Sequence, residues 1–269
     1  MKIGLIAGEG DLPKYIAQEN PNVFVMCVEG FSKPSSFLNK SETVSLFNPE
    51  IWIKTLNKYK VTHIVFAGKI YRPNIFKETK SIVASQLINK ISTVGDNEAL
   101  NIIEVFFKNN GFKIIPISSV LKNCFFPKGL YGKNFLNPSF TEYIQKSSKF
   151  GINLLNSISK FDVGQSLIVS NNLVYAVEAM EGTDSMIERV KKLTLNNEKG
   201  NIYLPILIKV PKKGQNKKID LPVVGFNTVQ KCVDACLSSI VVSSKGTLIM
   251  DLKKINSYIK KSNFTIFSI

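Results

Sequence analysis

Apolar residues recur along this chain in two patterns: runs of roughly four to eight that suit buried strands, and spacings of three and four that suit one helix face. Residues 2–7 form a run of the first kind and pass through Gly8-Glu9-Gly10-Asp11 into helical spacing near 14–19, which reads as a βα start. Residues 23–28 read as a second strand, 49–60 as a helix with Pro49 at its first position, and 63–67 as a third strand ending at Gly68. Gly95-Asp96 opens a helix to about residue 108, and 112–117 returns as a strand. The alternation predicts a parallel α/β first half.

The periodicity lapses between residues 122 and 138, where Pro127, Gly129, Gly132, Asn134, Asn137 and Pro138 interrupt aromatic residues, so the domain boundary is placed there. A helix is then expected over 139–159, a hairpin from 166–169 and 174–179 around Asn171-Asn172, and a helix over 183–193. Residues 203–210 form a strongly apolar strand that ends in the Lys- and Gly-rich loop 211–220. Helical spacing follows over 228–237, and 240–242 with 247–250 flank Ser243-Ser244-Lys245-Gly246 as a second hairpin. This half is also α/β, but less purely parallel.

With 269 residues and 44% hydrophobic content the chain fits one or two compact domains, and no tandem repeat or low-complexity tract is evident. No apolar stretch approaches the roughly 18 to 20 residues of a membrane-spanning helix. The start, Met1-Lys2-Ile3-Gly4-Leu5, runs into a glycine turn instead of an apolar leader, and the expectation is a cytoplasmic protein. A formal charge of +15 points to an anionic partner, whether nucleic acid, phospholipid headgroups or a phosphorylated substrate, although solvated surface lysines give the same balance. Cys27, Cys124, Cys232 and Cys236 read as reduced core thiols. With His63 the single histidine, a histidine-built zinc site and a histidine-based triad are both disfavoured, and any metal would be held by oxygen.

Candidate chemistry lies at the loops. Gly8 and Gly10 stand between a strand and a helix, where the backbone can approach a phosphate, and Glu29, about twenty residues on, matches the ribose-binding acid of a dinucleotide fold. Pro13 replaces the third glycine of that fingerprint, so a plain tight turn is the other reading. Lys69 and Arg72 follow a strand's C-terminal end and can hold phosphate or simply face solvent. Asp96 can touch ligand or cap its helix. Asp162, Gln165, Glu178, Glu181, Thr183 and Asp184 bracket the first hairpin, a grouping that suits phosphate or hydrated magnesium, or merely caps the next helix. Lys209 and Gln215 flank the basic loop, and Asp220 is presented before Leu221-Pro222, where the proline keeps its predecessor extended; an ordinary turn carboxylate is the alternative.

In order, Gly-Leu-Ile-Ala-Gly-Glu-Gly-Asp-Leu-Pro, Val-Phe-Ala-Gly-Lys, Val-Gly-Asp-Asn-Glu-Ala-Leu, Asp-Val-Gly-Gln-Ser, Val-Glu-Ala-Met-Glu-Gly-Thr-Asp and Lys-Ile-Asp-Leu-Pro resemble the UDP-2,3-diacylglucosamine pyrophosphatases of the LpxI type, across nearly the whole chain. Asp-Leu-Pro continues as Val223 where the family more often has Thr. The resemblance implies an N-terminal Rossmann-like parallel α/β domain over 1–130 and a C-terminal mixed α/β catalytic domain over 131–269, with the active site in the cleft between them. It implies hydrolysis of UDP-2,3-diacylglucosamine to its lipid product, 2,3-diacylglucosamine 1-phosphate, and UMP in lipid A biosynthesis. Mg2+ is the implied cofactor. Asp220 takes the place of the family's catalytic carboxylate and of a metal ligand. Gly10, Lys69, Gln165, Thr183 and Lys209 resemble positions that contact substrate phosphate and sugar; Gly8, Arg72, Glu181, Asp184 and Gln215 complete the expected substrate-binding set. The implied setting is the cytoplasmic face of the inner membrane, held peripherally by basic side chains, with no nucleic acid; a homodimer is left open.

Two rivals remain at the level of sequence. A nicotinamide-dependent oxidoreductase rests on the glycine turn and Glu29, and is weakened by Pro13 and by the lack of an evident hydride-transfer acid. A nucleic-acid-binding module rests on charge alone, with the aromatics inside apolar runs instead of interleaved with basic residues.

Overall fold

The computed structural model describes residues 1–71, 82–133, 137–195, 204–216 and 218–269. They form two units: Met1–Lys122 with Asn216–Asp220, and Asn123–Gln215 with Leu221–Ile269.

The first unit carries β1 (Ile3–Ala7), α1 (Asp11–Glu19), β2 (Phe24–Val28), β3 (Ser41–Val44), α2 (Pro49–Lys58), β4 (His63–Ala67), α3 (Ile82–Ser92), α4 (Asp96–Asn109) and β5 (Lys113–Ile114). Its strands are all parallel, in the order β3-β2-β1-β4-β5. In this parallel sheet the strand order reverses between β1 and β4, the position at which open α/β sheets commonly bind ligands. β1, β2 and β4 read as unbroken apolar runs because helices cover them; Phe24, Met26, Ile64 and Ile6 share a core with Trp52 and Leu56 of α2 and Phe107 of α4. Local signals fix the helix starts: Asn48 accepts the Ile51 N–H and Pro49 takes the first position of α2. The strand expected over 112–117 shrinks to two residues, since Pro116 has no N–H to continue the ladder and a 3-10 turn begins at Ile117.

The second unit carries β6 (Gly129–Tyr131), α5 (Pro138–Ile158), β7 (Ser166–Ser170), β8 (Leu173–Val177), α6 (Gly182–Leu195), β9 (Ile206–Lys209), β10 (Val223–Val224), α7 (Phe226–Asp234), β11 (Ser239–Val242), β12 (Leu248–Ile249), α8 (Leu252–Ile259) and β13 (Thr265–Ser268). A mixed six-stranded sheet runs β6-β13-β11-β9-β7-β8. Alternate residues face opposite cores, as strand geometry requires. Ile168, Leu207, Ile240 and Ile266 meet Met186, Ile187 and Val190 of α6 and Val229 of α7. Leu167, Ile206, Ile208 and Val241 meet Phe140, Tyr143 and Ile144 of α5. Each such aliphatic side chain contributes about 1.5 to 3 kcal/mol on burial.

The first expected hairpin forms, β7 pairing antiparallel with β8. The second does not. β11 is an interior strand whose two edges are taken by β9 and β13, both parallel, so β12 has no edge to join there and pairs with β10 instead.

Candidate functional site

At the point where the first sheet's order reverses, the loops after β1 and β4 are stitched together. Glu9 and Lys69 form an isolated antiparallel bridge, the Glu9 N–H donating to the Lys69 carbonyl at 2.8 Å and the Lys69 N–H to the Glu9 carbonyl at 2.9 Å. Gly8 donates to the Ala67 carbonyl at 2.8 Å. The approach is so close that a Cβ on Gly8 would lie 2.5 Å from the Lys69 oxygen, and one on Gly68, at φ 90°, would lie 2.7 Å from the Glu9 oxygen and 2.8 Å from Pro13 Cγ. Glycine is therefore required at both positions by packing, and at Gly68 by dihedral as well. Pro13 fills the space in which a dinucleotide fold keeps its third glycine, packing on Gly68. Beside this turn a cavity of about 220 Å³ is lined by Gly8, Gly10, Lys14, Phe31, Ser32 and Lys33, among others. Ser32 is pinned there by donating to the Ala7 carbonyl at 2.7 Å. Lys69 is exposed, and Arg72 lies outside the described residues.

Asp220 belongs to this first unit although it comes from the second half of the chain. Its N–H donates to the Asn216 carbonyl at 2.9 Å, closing a turn. The neighbouring Ile219, 8% exposed, enters the same core as Trp52 and Phe107. The Asn216 side-chain amide donates to Asn101 Oδ1 at 3.1 Å and to Glu104 Oε2, both on α4. Burial raises the Glu104 carboxyl, but hydrogen bonds from Lys108 and Asn216 outweigh it and hold the group below the usual carboxylate range.

In the second unit the residues around the first hairpin converge on Thr183, in the first turn of α6. Lys209, at the end of β9, donates to Thr183 Oγ1 at 2.7 Å, and Thr183 donates to Glu178 Oε1 at 2.8 Å. The other Glu178 oxygen accepts the Gln165 N–H at 3.1 Å. The Lys209 carbonyl is held by the Thr247 hydroxyl at 2.8 Å, which fixes the end of the strand. Thr183 is buried, so the contact among ammonium, hydroxyl and carboxylate is charge-assisted and poorly screened. Buried Cys232 lies near Lys209 and Asp184; burial pushes its thiol up, so it is inert as a nucleophile.

The remaining acids of this region have partners of their own. Glu181 pairs with Arg189 at 2.9 Å, Asp184 with Lys231 at 2.9 Å, and Asp162 with Lys212 at 2.6 Å. Gln215, buried, accepts the Lys212 N–H through its side-chain oxygen at 2.9 Å. Among the described residues, no three His, Cys, Asp or Glu side chains gather as a metal-binding group. The expected residues are thus divided: Gly8, Gly10, Lys69 and Asp220 in the first unit, Gln165, Glu181, Thr183, Asp184, Lys209 and Gln215 in the second. Glu178 stands among the acids around the hairpin without a role of its own in the sequence, and Asn216, the hub of the Asp220 turn, is not singled out there. The signal for Asn216 was slight: an apolar Ile219 between charged neighbours marks a loop residue that is buried.

Comparison with known proteins covers both halves. A UDP-2,3-diacylglucosamine pyrophosphatase LpxI from Caulobacter vibrioides is 29% identical over 258 residues, which is 93% of this chain and 91% of that protein. Residues 2–124 match the family description LpxI N-terminal domain, and residues 133–267 match LpxI C-terminal domain, so the chain belongs to the LpxI family.

Proposed function

We propose that the chain hydrolyses the pyrophosphate of UDP-2,3-diacylglucosamine to 2,3-diacylglucosamine 1-phosphate and UMP, a step in making lipid A. The observation that supports this reading is the Lys209–Thr183–Glu178 hydrogen-bonded chain at the head of α6, which holds an ammonium group beside a helix N-terminus, a setting that favours a phosphate. The activity named for the Caulobacter relative supports it across nearly the full length of both chains.

In the proposed reaction the oxygen of water forms a bond to one phosphorus while the bridging P–O bond breaks, its electron pair leaving with the other phosphate. Asp220 orients the water or accepts its proton, and Lys209 and Lys69 offset charge on the phosphoryl oxygens. Magnesium suits this donor set, because the ion is commonly held by one or two carboxylates with substrate phosphates completing its shell; Asp220 is the residue that would hold it. Bound there, magnesium would withdraw charge from the phosphoryl oxygens. No helix among the described residues is long and apolar enough to cross a membrane. With a net charge of +15, the protein would gather at the anionic cytoplasmic face of the inner membrane, at ~1 kcal/mol per well-placed basic side chain.

The test is an assay of the purified protein on the UDP-linked diacylated sugar with magnesium, separating UMP from UDP. UMP and the sugar 1-phosphate are expected in equal amounts; UDP as the nucleotide product, or no turnover, would overturn the reading. Lys209→Ala is expected to keep the fold and to lose ~1.5 to 3 kcal/mol of transition-state stabilisation, the range for a hydrogen bond to a charged group. Lys69→Ala should behave similarly; kcat/KM for both variants at the wild-type value would remove these lysines from the anion site.

A further inference from the structure

The proposed role of Asp220 depends on where its carboxylate sits, and the hydrogen bonds around it meet at one residue. Asn216 commits its side chain and its carbonyl to this turn. Its side-chain amide donates to Asn101 and Glu104, its side-chain oxygen accepts the Lys218 N–H at 3.1 Å, and its carbonyl accepts the N–H groups of Ile219 at 3.1 Å and Asp220 at 2.9 Å. Glu104 is 7% exposed and is itself held by Lys108, one helical turn on, at 2.7 Å. Hydrogen bonds from Lys108 and Asn216 outweigh the burial of the Glu104 carboxylate, so it stays charged as a fixed acceptor for Asn216, while Ile219 anchors the segment in the core. What the Glu104–Asn216 bond adds is direction: it fixes the rotation of the turn about the Ile219 anchor.

We infer that Asn216 and Glu104 are positioning residues that aim the Asp220 carboxylate, an assignment that rests on the proposed catalytic role of Asp220. Neither touches the reacting atoms; they act by restricting a turn whose free movement would misplace the acid. A displacement of about 1 Å is enough to cost on the order of 100-fold in rate.

A polarity swap tests this. Asn216→Asp sets two carboxylates against each other and should lower kcat roughly 10- to 100-fold while KM stays within about threefold, with the fold retained by circular dichroism. Glu104→Gln should be milder, since its amide oxygen still accepts from Asn216. In the double variant the amide introduced at position 104 donates to the carboxylate introduced at position 216, the same bond run in reverse, and most of kcat should return. On an Asp220→Ala background, Asn216→Asp should cost nothing further. Wild-type kcat in Asn216→Asp, a loss confined to KM, no recovery in the double variant, or a loss that persists without Asp220 would each overturn the assignment. The two failures are separable: normal turnover by Asp220→Ala itself defeats the reading of Asp220, whereas an inactive Asp220→Ala beside a fully active Asn216→Asp defeats only the positioning role.

Discussion

Replacing Asp220 with alanine is expected to give a folded protein that binds UDP-2,3-diacylglucosamine and hydrolyses it at least ~100-fold more slowly, the lower range for losing general acid–base catalysis. The fold should survive because the Asp220 N–H keeps its bond to the Asn216 carbonyl and Ile219 keeps its place in the core. Binding should survive because lysines and glycine turns carry most of the charge complementarity to the nucleotide and phosphates. Removing an anion beside a pyrophosphate can even tighten the ground-state complex, so the variant is a candidate for trapping intact substrate. If Asp220 only shapes a turn before Pro222, alanine costs a little stability and turnover persists. Circular dichroism, substrate binding and turnover on one preparation distinguish the two, and near-normal turnover by a folded variant would take Asp220 out of the mechanism.

Removing divalent cations is expected to abolish turnover, with restoration by magnesium and little effect on the fold. The argument is one of charge. A pyrophosphate brings several negative oxygens together, and attack by water adds more negative charge at the reacting phosphorus. Among the described residues, two acids expected at the substrate in the second unit are already paired, Glu181 with Arg189 and Asp184 with Lys231. The metal would therefore rely on Asp220 and on substrate oxygens, the open style of binding usual for magnesium, and it should bind weakly without substrate. Because such a site does not hold the fold together, unfolding temperature in chelator should match that of the untreated protein. Full activity in excess chelator after confirmed metal removal would rule the requirement out.

How far the sequence could be read depended on how much of each element's energy is local. β1, β2, β4 and β9 were legible because strands covered on both faces show as unbroken apolar runs, and α2 because Asn48 and Pro49 mark its start. β3, with its Ser-Glu-Thr-Val sequence, and the three-residue β6 were missed; both lie at sheet edges, where one partner and modest burial leave little pattern. α8 and β13 were passed over at the chain's end. The hairpin mistaken between β11 and β12 shows the limit of turn chemistry: a Ser-Lys-Gly turn is real, but which strand occupies a neighbouring edge is decided by residues far away. At the site, the Gly8 turn, Thr183 and Lys209 could be picked out singly, since each sits at the end of a strand or the start of a helix. The joining of Thr183 and Lys209 to Glu178 could not be read, because it depends on the ends of β8 and β9 and the start of α6 meeting in space.

The return of Asn216–Asp220 to the first unit has a consequence for how the protein is made. Its side-chain contacts with α4 close sequence gaps of 112 and 115 residues, so the first unit cannot be completed when its own stretch of chain leaves the ribosome. Until about a hundred further residues have been translated, the place that Ile219 will fill is a gap in apolar packing, and Glu104 lacks its amide partner. Nascent chains halted before residue 219 would carry an unfinished N-terminal half, a period of exposure in which a ribosome-associated chaperone would have something apolar to hold.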